Sequence, residues 1–142
     1  MFLNNKIDDL RTKLKTLASC EWGFMFPQEV DVEDFPYIFI WGGQSEITIN
    51  SNDTFSERQR LSIYLMMYYE YPAVSQSDAI ENLNILEQNV INTILNDCDF
   101  VIENNITIDK DRTFINVGIP FNFNPPYYCS RIDITLMEEY RR

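Results

Sequence analysis

Short-spaced carboxylates are the groups in this chain whose type could hold a metal or activate a water: Asp109 with Asp111, and Asp31 with Glu33 and Asp34. Acids become the remaining route to hydrolysis once histidine is gone, and the chain has none. Without it there is no Ser–His or Cys–His nucleophile pair, and the commonest general base and metal ligand are both missing. Asp109 and Asp111 lack the following ligands and the glycine of a calcium loop. Asp31, Glu33 and Asp34 sit in a connector. Both groups therefore read as solvated turns. The four glycines form no G-x-x-x-x-G-K-S/T or G-x-G-x-x-G, so no loop is set to cradle a phosphate. Cys20, Cys98 and Cys129 are odd in number, far apart and outside any C-x-x-C spacing, which reads as free buried or half-buried thiols. The expectation is no catalytic residue, no cofactor, no metal and no enzymatic activity.

Contact surface is what remains. Tyr64, Tyr68, Tyr69, Tyr71, Tyr127 and Tyr128 could stack bases or sugars, but no basic residues are interleaved among them. Core and subunit-interface roles fit tyrosine better, since one end is apolar and the other hydrogen-bonds. The residues expected to meet a partner are Tyr64, Met66 and Tyr68, the acids Asp53, Glu57, Asp109 and Asp111, and the terminal Arg141 and Arg142.

The 142 residues are 45% hydrophobic and 14% aromatic, enough for one domain spanning 1–142 with its own core. No apolar run approaches the roughly 18 residues of a membrane span. Lys6, Asp8, Asp9 and Arg11 interrupt any signal-peptide core, so a cytoplasmic site of synthesis is expected. The net charge of −11 is unevenly spread. Residues 21–57 and 70–109 each hold eight acids and no Lys or Arg, between mildly basic ends. A nucleic-acid grip needs clustered cations to displace counterions, and that pattern is absent.

Hydrophobic periodicity places the elements. Leu3, Ile7, Leu10, Leu14 and Leu17 make Phe2–Leu17 an amphipathic helix. Cys20–Phe35 reads as a connector pinned by Trp22, Phe24 and Phe26. Tyr37–Trp41 reads as a short strand that Gly42-Gly43 turns into a second one at Glu46–Asn50. From Arg58 the chain alternates: Leu61, Ile63, Leu65, Met67 and Tyr69 on a buried parity, Arg60, Ser62, Tyr64, Met66 and Tyr68 on a partly wet one, until Pro72 stops it. Asp78–Leu95 is a long helix with Leu83, Leu86, Val90 and Ile94 in its apolar stripe and a capping-box spacing at Asp78 and Glu81. Ile106 and Ile108 precede an Asp109–Arg112 turn into Ile115–Phe121. Pro125-Pro126 breaks that run, and Ser130–Leu136 closes the order. The whole predicts an α+β fold, an antiparallel sheet with helices packed on one face, in the order α-β-β-β-α-β-β-β.

A helix, a PYIFIWGG strand, the long RLSIYLMMYYEY strand, the SDAIENLNILEQNVINTIL helix and a final RIDITL strand together resemble the tail terminator or tail-completion proteins of tailed bacteriophages. The likeness is one of pattern and element order over about residues 2–137. It implies a homo-oligomeric ring in the virion neck, made in the host cytoplasm, contacting a portal-side adaptor and tail proteins, with DNA passing through unbound. In such a ring, basic residues of one subunit would meet the acidic blocks of another, and other acids would line the channel. The competing reading is a small acidic cytosolic binding or regulatory protein acting on a basic partner.

Overall fold

The computed structural model describes residues 4–25, 27, 32–68, 76–97, 107–108, 115–117 and 127–141. In chain order these form α1 (Asn4–Leu14), β1 (Ser19–Gly23), a 3-10 turn at Val32–Asp34, β2 (Tyr37–Ile49), β3 (Thr54–Tyr68), α2 (Gln76–Asp97), β4 (Thr107–Ile108), β5 (Ile115–Val117) and β6 (Tyr127–Arg141). The class is α+β, and the alternation of helices and strands is the one read from the sequence. The strands make one sheet in the order β1-β2-β3-β6-β4. β5 pairs with β6 near Cys129 while β4 pairs with it near Ile134, so both lie along the β6 edge that β3 leaves open.

Three details differ from the sequence expectation. The first is β1, which lies inside the stretch read as a connector. It pairs in parallel with β2, Ser19 opposite Tyr37 through Gly23 opposite Trp41, so the sheet is mixed. Five residues are too few to show a period, and β1 is held instead by α1. The Arg11 guanidinium donates to the Cys20 carbonyl at 3.1 Å and pairs with Glu21 at 3.3 Å, and Trp22 donates its indole N–H to Asp8.

The second is Gly42-Gly43, which is a bulge and not a turn. Gly42 stands opposite Leu61 and Ser45 opposite Gln59, so residues 43 and 44 share the single partner Arg60 within one continuous β2. A side chain on Gly43 would begin 3.1 Å from the Arg60 carbonyl, and one on Gly42 would begin 2.7 Å from the Phe24 ring. The Gln59 side-chain amide donates to the Gly43 carbonyl at 2.7 Å, satisfying a group the bulge takes out of the ladder. Because strand side chains alternate, one extra residue reverses the faces. Tyr37, Phe39 and Trp41 precede the bulge on the outer face, whereas Ile47 and Ile49 follow it on the inner one.

The third is length. β3 and β6 pair over fifteen residues each, Thr54 opposite Arg141 through Tyr68 opposite Tyr127. Polar ends such as Ser56, Glu57, Glu138 and Glu139 hid this extension, since the backbone ladder continues where the apolar period fades.

Both helices pack on the inner face. Ile7, Leu10 and Leu14 of α1 and Leu83, Leu86, Val90 and Ile94 of α2 close over Ile38, Ile40, Leu61, Ile63, Leu65, Ile132, Ile134 and Leu136. Fully burying each such side chain is worth about 1.5–3 kcal/mol, which makes this cluster the main source of stability. No described helix is long and apolar enough to cross a membrane.

Candidate interaction face

The outer face of the sheet divides into a closed end and an open one. At the closed end Tyr37, Phe39, Met66 and Cys129 are buried, with Phe35 and Tyr64 packed against them. Met66 is fully buried there, which corrects the expectation of an exposed, partner-facing methionine. Its parity was read rightly, but the facing aromatics of β2 make a second small core on that side. Burial pushes the Cys129 thiol up to about 12, and does the same to Cys20 on the inner side. Both are protonated near neutrality and are weak nucleophiles.

Next along the strands comes a polar row. Tyr64 stands opposite Arg131 and Ser62 opposite Asp133. Ser62 donates its hydroxyl to Asp133 at 2.7 Å, and Arg131 pairs with the other Asp133 oxygen at 3.3 Å. Burial raises the Tyr64 phenol while a hydrogen bond with Arg131 works against that rise. Trp41 lies beside this row, 40% exposed, its indole N–H donating to the Phe24 carbonyl at 3.1 Å. Trp41, Ser62, Arg131 and Asp133, with Arg60 and Thr135, line a depression of about 340 Å³.

The open end carries most of the outer charge. Arg58, Arg60, Arg131 and Arg141 share this face with Glu46, Asp133 and Glu139. With Glu21 of β1, which stands opposite Phe39, four arginines meet four acids on the described strands, so this face is near balance in a chain of net charge −11. Among the described residues neither Arg58 nor Arg60 forms an ion pair, and both are exposed.

The residues expected from sequence do not form one site. Asp53 is exposed in the β2–β3 turn, and Arg141 is exposed at the adjoining end of β6. Tyr64 lies ten strand positions further along, about 33 Å away at the usual rise. Tyr68 ends β3 opposite Tyr127. Glu57, expected on the surface, is 2% exposed on the inner face, opposite Glu138. It shares the parity of Leu61 and Ile63, and only the start of β3 at Thr54 makes that parity apply to it. Nearby, Tyr140 donates its hydroxyl to Glu138 at 2.7 Å; burial first, then that carboxylate, push its pKa above the usual range. Asp109, Asp111, Arg142 and Cys98 lie outside the described residues, as do Asp31, Tyr69, Tyr71, Pro72, the Asp109–Arg112 turn and Pro125-Pro126. Among the described residues no group of three or more Cys, Asp or Glu is placed to hold a metal.

Sequence reasoning missed Trp41, Arg131 and Asp133. The signal that could find them is parity, since 41, 62 and 133 meet in one row, but reading it requires the register of three strands separated widely in the chain.

Compared with known proteins, the chain matches no family model and no curated protein.

Proposed function

We propose that this protein is a structural component of a tailed-phage virion, assembling into a homo-oligomeric ring of the neck or tail through which DNA passes. The observation that carries this reading is a sheet built for lateral contact. Beyond the bulge, β2, β3 and β6 continue as a three-stranded arm that leaves Ile47 and Ile49 58% and 69% exposed. The other side of the same arm carries Arg58 and Arg141, also exposed. Apolar side chains open to water beside cations that form no ion pair among the described residues suit a surface completed by another chain. A closed ring presents different surfaces to its two neighbours, so one subunit needs two unlike contact faces. The acidic balance of the chain suits passage of DNA without adhesion. A portal-side adaptor and tail proteins are the partners this role requires.

The test is oligomer mass by native mass spectrometry at low and high salt, beside a gel shift with duplex DNA. The expected outcome is a closed ring with no tight duplex binding at physiological salt, its polar contacts weakening as salt rises. A monomer at every concentration, with candidate neck partners added, would sink the reading, and so would tight DNA binding.

A further inference from the structure

We infer that the open outer face of the sheet receives the amino-terminal half of α2 from the next copy of this chain. The inference rests on the ring reading and names the surfaces that would meet in it.

The donor is a stripe on α2 turned away from its own sheet. Asp78, Glu81, Ile85, Gln88, Asn92 and Leu95 are all exposed and recur at three and four residues, one line along the helix. The buried stripe of Leu83, Leu86, Val90 and Ile94 is already committed to the core. A solvated helix face normally carries polar groups, yet Ile85 is 50% and Leu95 49% exposed. No Lys or Arg occurs between residues 61 and 109, so every charge on the helix is acidic.

The acceptor has the complementary character. Arg58 and Arg60 are adjacent on the outer parity of β3, exposed and without ion pairs among the described residues. Trp41 offers an exposed aromatic surface one row further on. Asp78 and Glu81 lie one turn apart, a separation of about 5 Å. Alternate strand positions such as Arg58 and Arg60 lie about 7 Å apart, within reach of long guanidinium side chains. Those arginines then pair with the two carboxylates, Asp78 keeping the interaction it already has in its own chain, and Trp41 covers Ile85. The contact joins unlike surfaces, so it propagates head to tail and closes when the rotation allows. It also gives the sheet a second helical layer on the side its own helices leave open.

Charge reversal tests it. One variant carries Arg58→Glu with Arg60→Glu, a second carries Asp78→Lys with Glu81→Lys, and a third carries all four. Thermal melts verify that each is folded. Each one-sided variant should need at least about tenfold more protein to assemble than the wild type, a loss of about 1.4 kcal/mol per contact. The fourfold variant should regain wild-type assembly. An equimolar mixture of the two one-sided variants should assemble better than either alone, since each junction between unlike variants sets opposite charges together. If either one-sided variant assembles as the wild type does, or if assembly is lost and neither combination restores it, the contact is wrong while the ring reading stands. If the wild type itself stays monomeric at every concentration, both fall together.

Discussion

β2, β3 and β6 run through two regions with the same local pattern and different fates. Before the bulge, Ile38 and Ile40 alternate with aromatics and are fully buried beneath the helices. After it, Ile47 and Ile49 alternate with Glu46 and Thr48 on the same face and are more than half exposed. Alternation therefore reports which residues share a face, not whether anything covers it. Cover is supplied by α1 and α2, and nothing in the strand sequence says how far along the sheet they reach.

The sharpest way to break this comparison is to truncate the covered half. Leu83→Ala and Ile134→Ala should each lose about 2–5 kcal/mol in denaturant unfolding, because both leave a cavity between helix and sheet. Unchanged stability in both would mean that the helices do not pack there.

A second effect sharpens the contrast between the two faces of the covered half, since Cys20 lies under the helices and Cys129 in the outer aromatic cluster. Each thiol rises from 9.0 to about 12 on folding. A raised thiol pKa means the unfolded chain ionises first, so this contribution is whole below about pH 9 and is lost as pH climbs toward 12. Stability should fall by about 1.4 kcal/mol per pH unit for each thiol across that window. Cys129→Ala should flatten the slope of unfolding free energy against pH, and an unaltered slope would place the alkaline sensitivity elsewhere.

The boundary between the regions is tested by Gly42→Ala. The new methyl group meets the Phe24 ring, and the expected loss is roughly 1 kcal/mol, near the low end for overpacking because Phe24 is half exposed and can swing aside. Adding Phe24→Ala should remove most of that loss, a coupling read by a double-mutant cycle. Equal losses in both backgrounds would show that the ring is not what makes Gly42 necessary.

The smallest effect belongs to the arm. Ile47→Thr and Ile49→Thr should each change subunit stability by under about 0.5 kcal/mol, as exposed positions do. Losses as large as those in the core would show that the arm is covered within the subunit, and the contrast would collapse.

Much of the fold was legible because it rests on long periodic stretches. Leu61, Ile63 and Leu65 announce the inner face of β3, and Leu83, Leu86 and Val90 announce the buried stripe of α2. What escaped is decided by partners distant in the chain. Ser19–Gly23 is a strand because Tyr37–Trp41 lies beside it, and Gly42-Gly43 is a bulge because both halves of β2 pair with the same β3. The interaction face was the least legible. Nothing in the sequence sets Arg60 and Asp133 beside Trp41 until the strand register places them in neighbouring rows. Met66 was misplaced for the same reason, its burial depending on the facing aromatics of β2, and Glu57 because β3 begins before its apolar period shows.

The β3–β6 seam also governs the order in which the molecule can form. Its paired residues are 59 to 87 positions apart in the chain, from Tyr68 with Tyr127 to Thr54 with Arg141. The β2–β3 hairpin needs only the short turn near Asp53 and can close within about 1–10 μs. At a synthesis rate of about 5–20 residues per second, β6 emerges several seconds or more after β3. Throughout that interval fifteen residues of β3 present an open hydrogen-bonding edge, the kind of edge that recruits strands from other chains. Loop closure then adds only a term growing as the logarithm of the intervening length. The vulnerable period of this protein is thus set by translation and strand order, with its yield falling as more nascent chains share the same compartment.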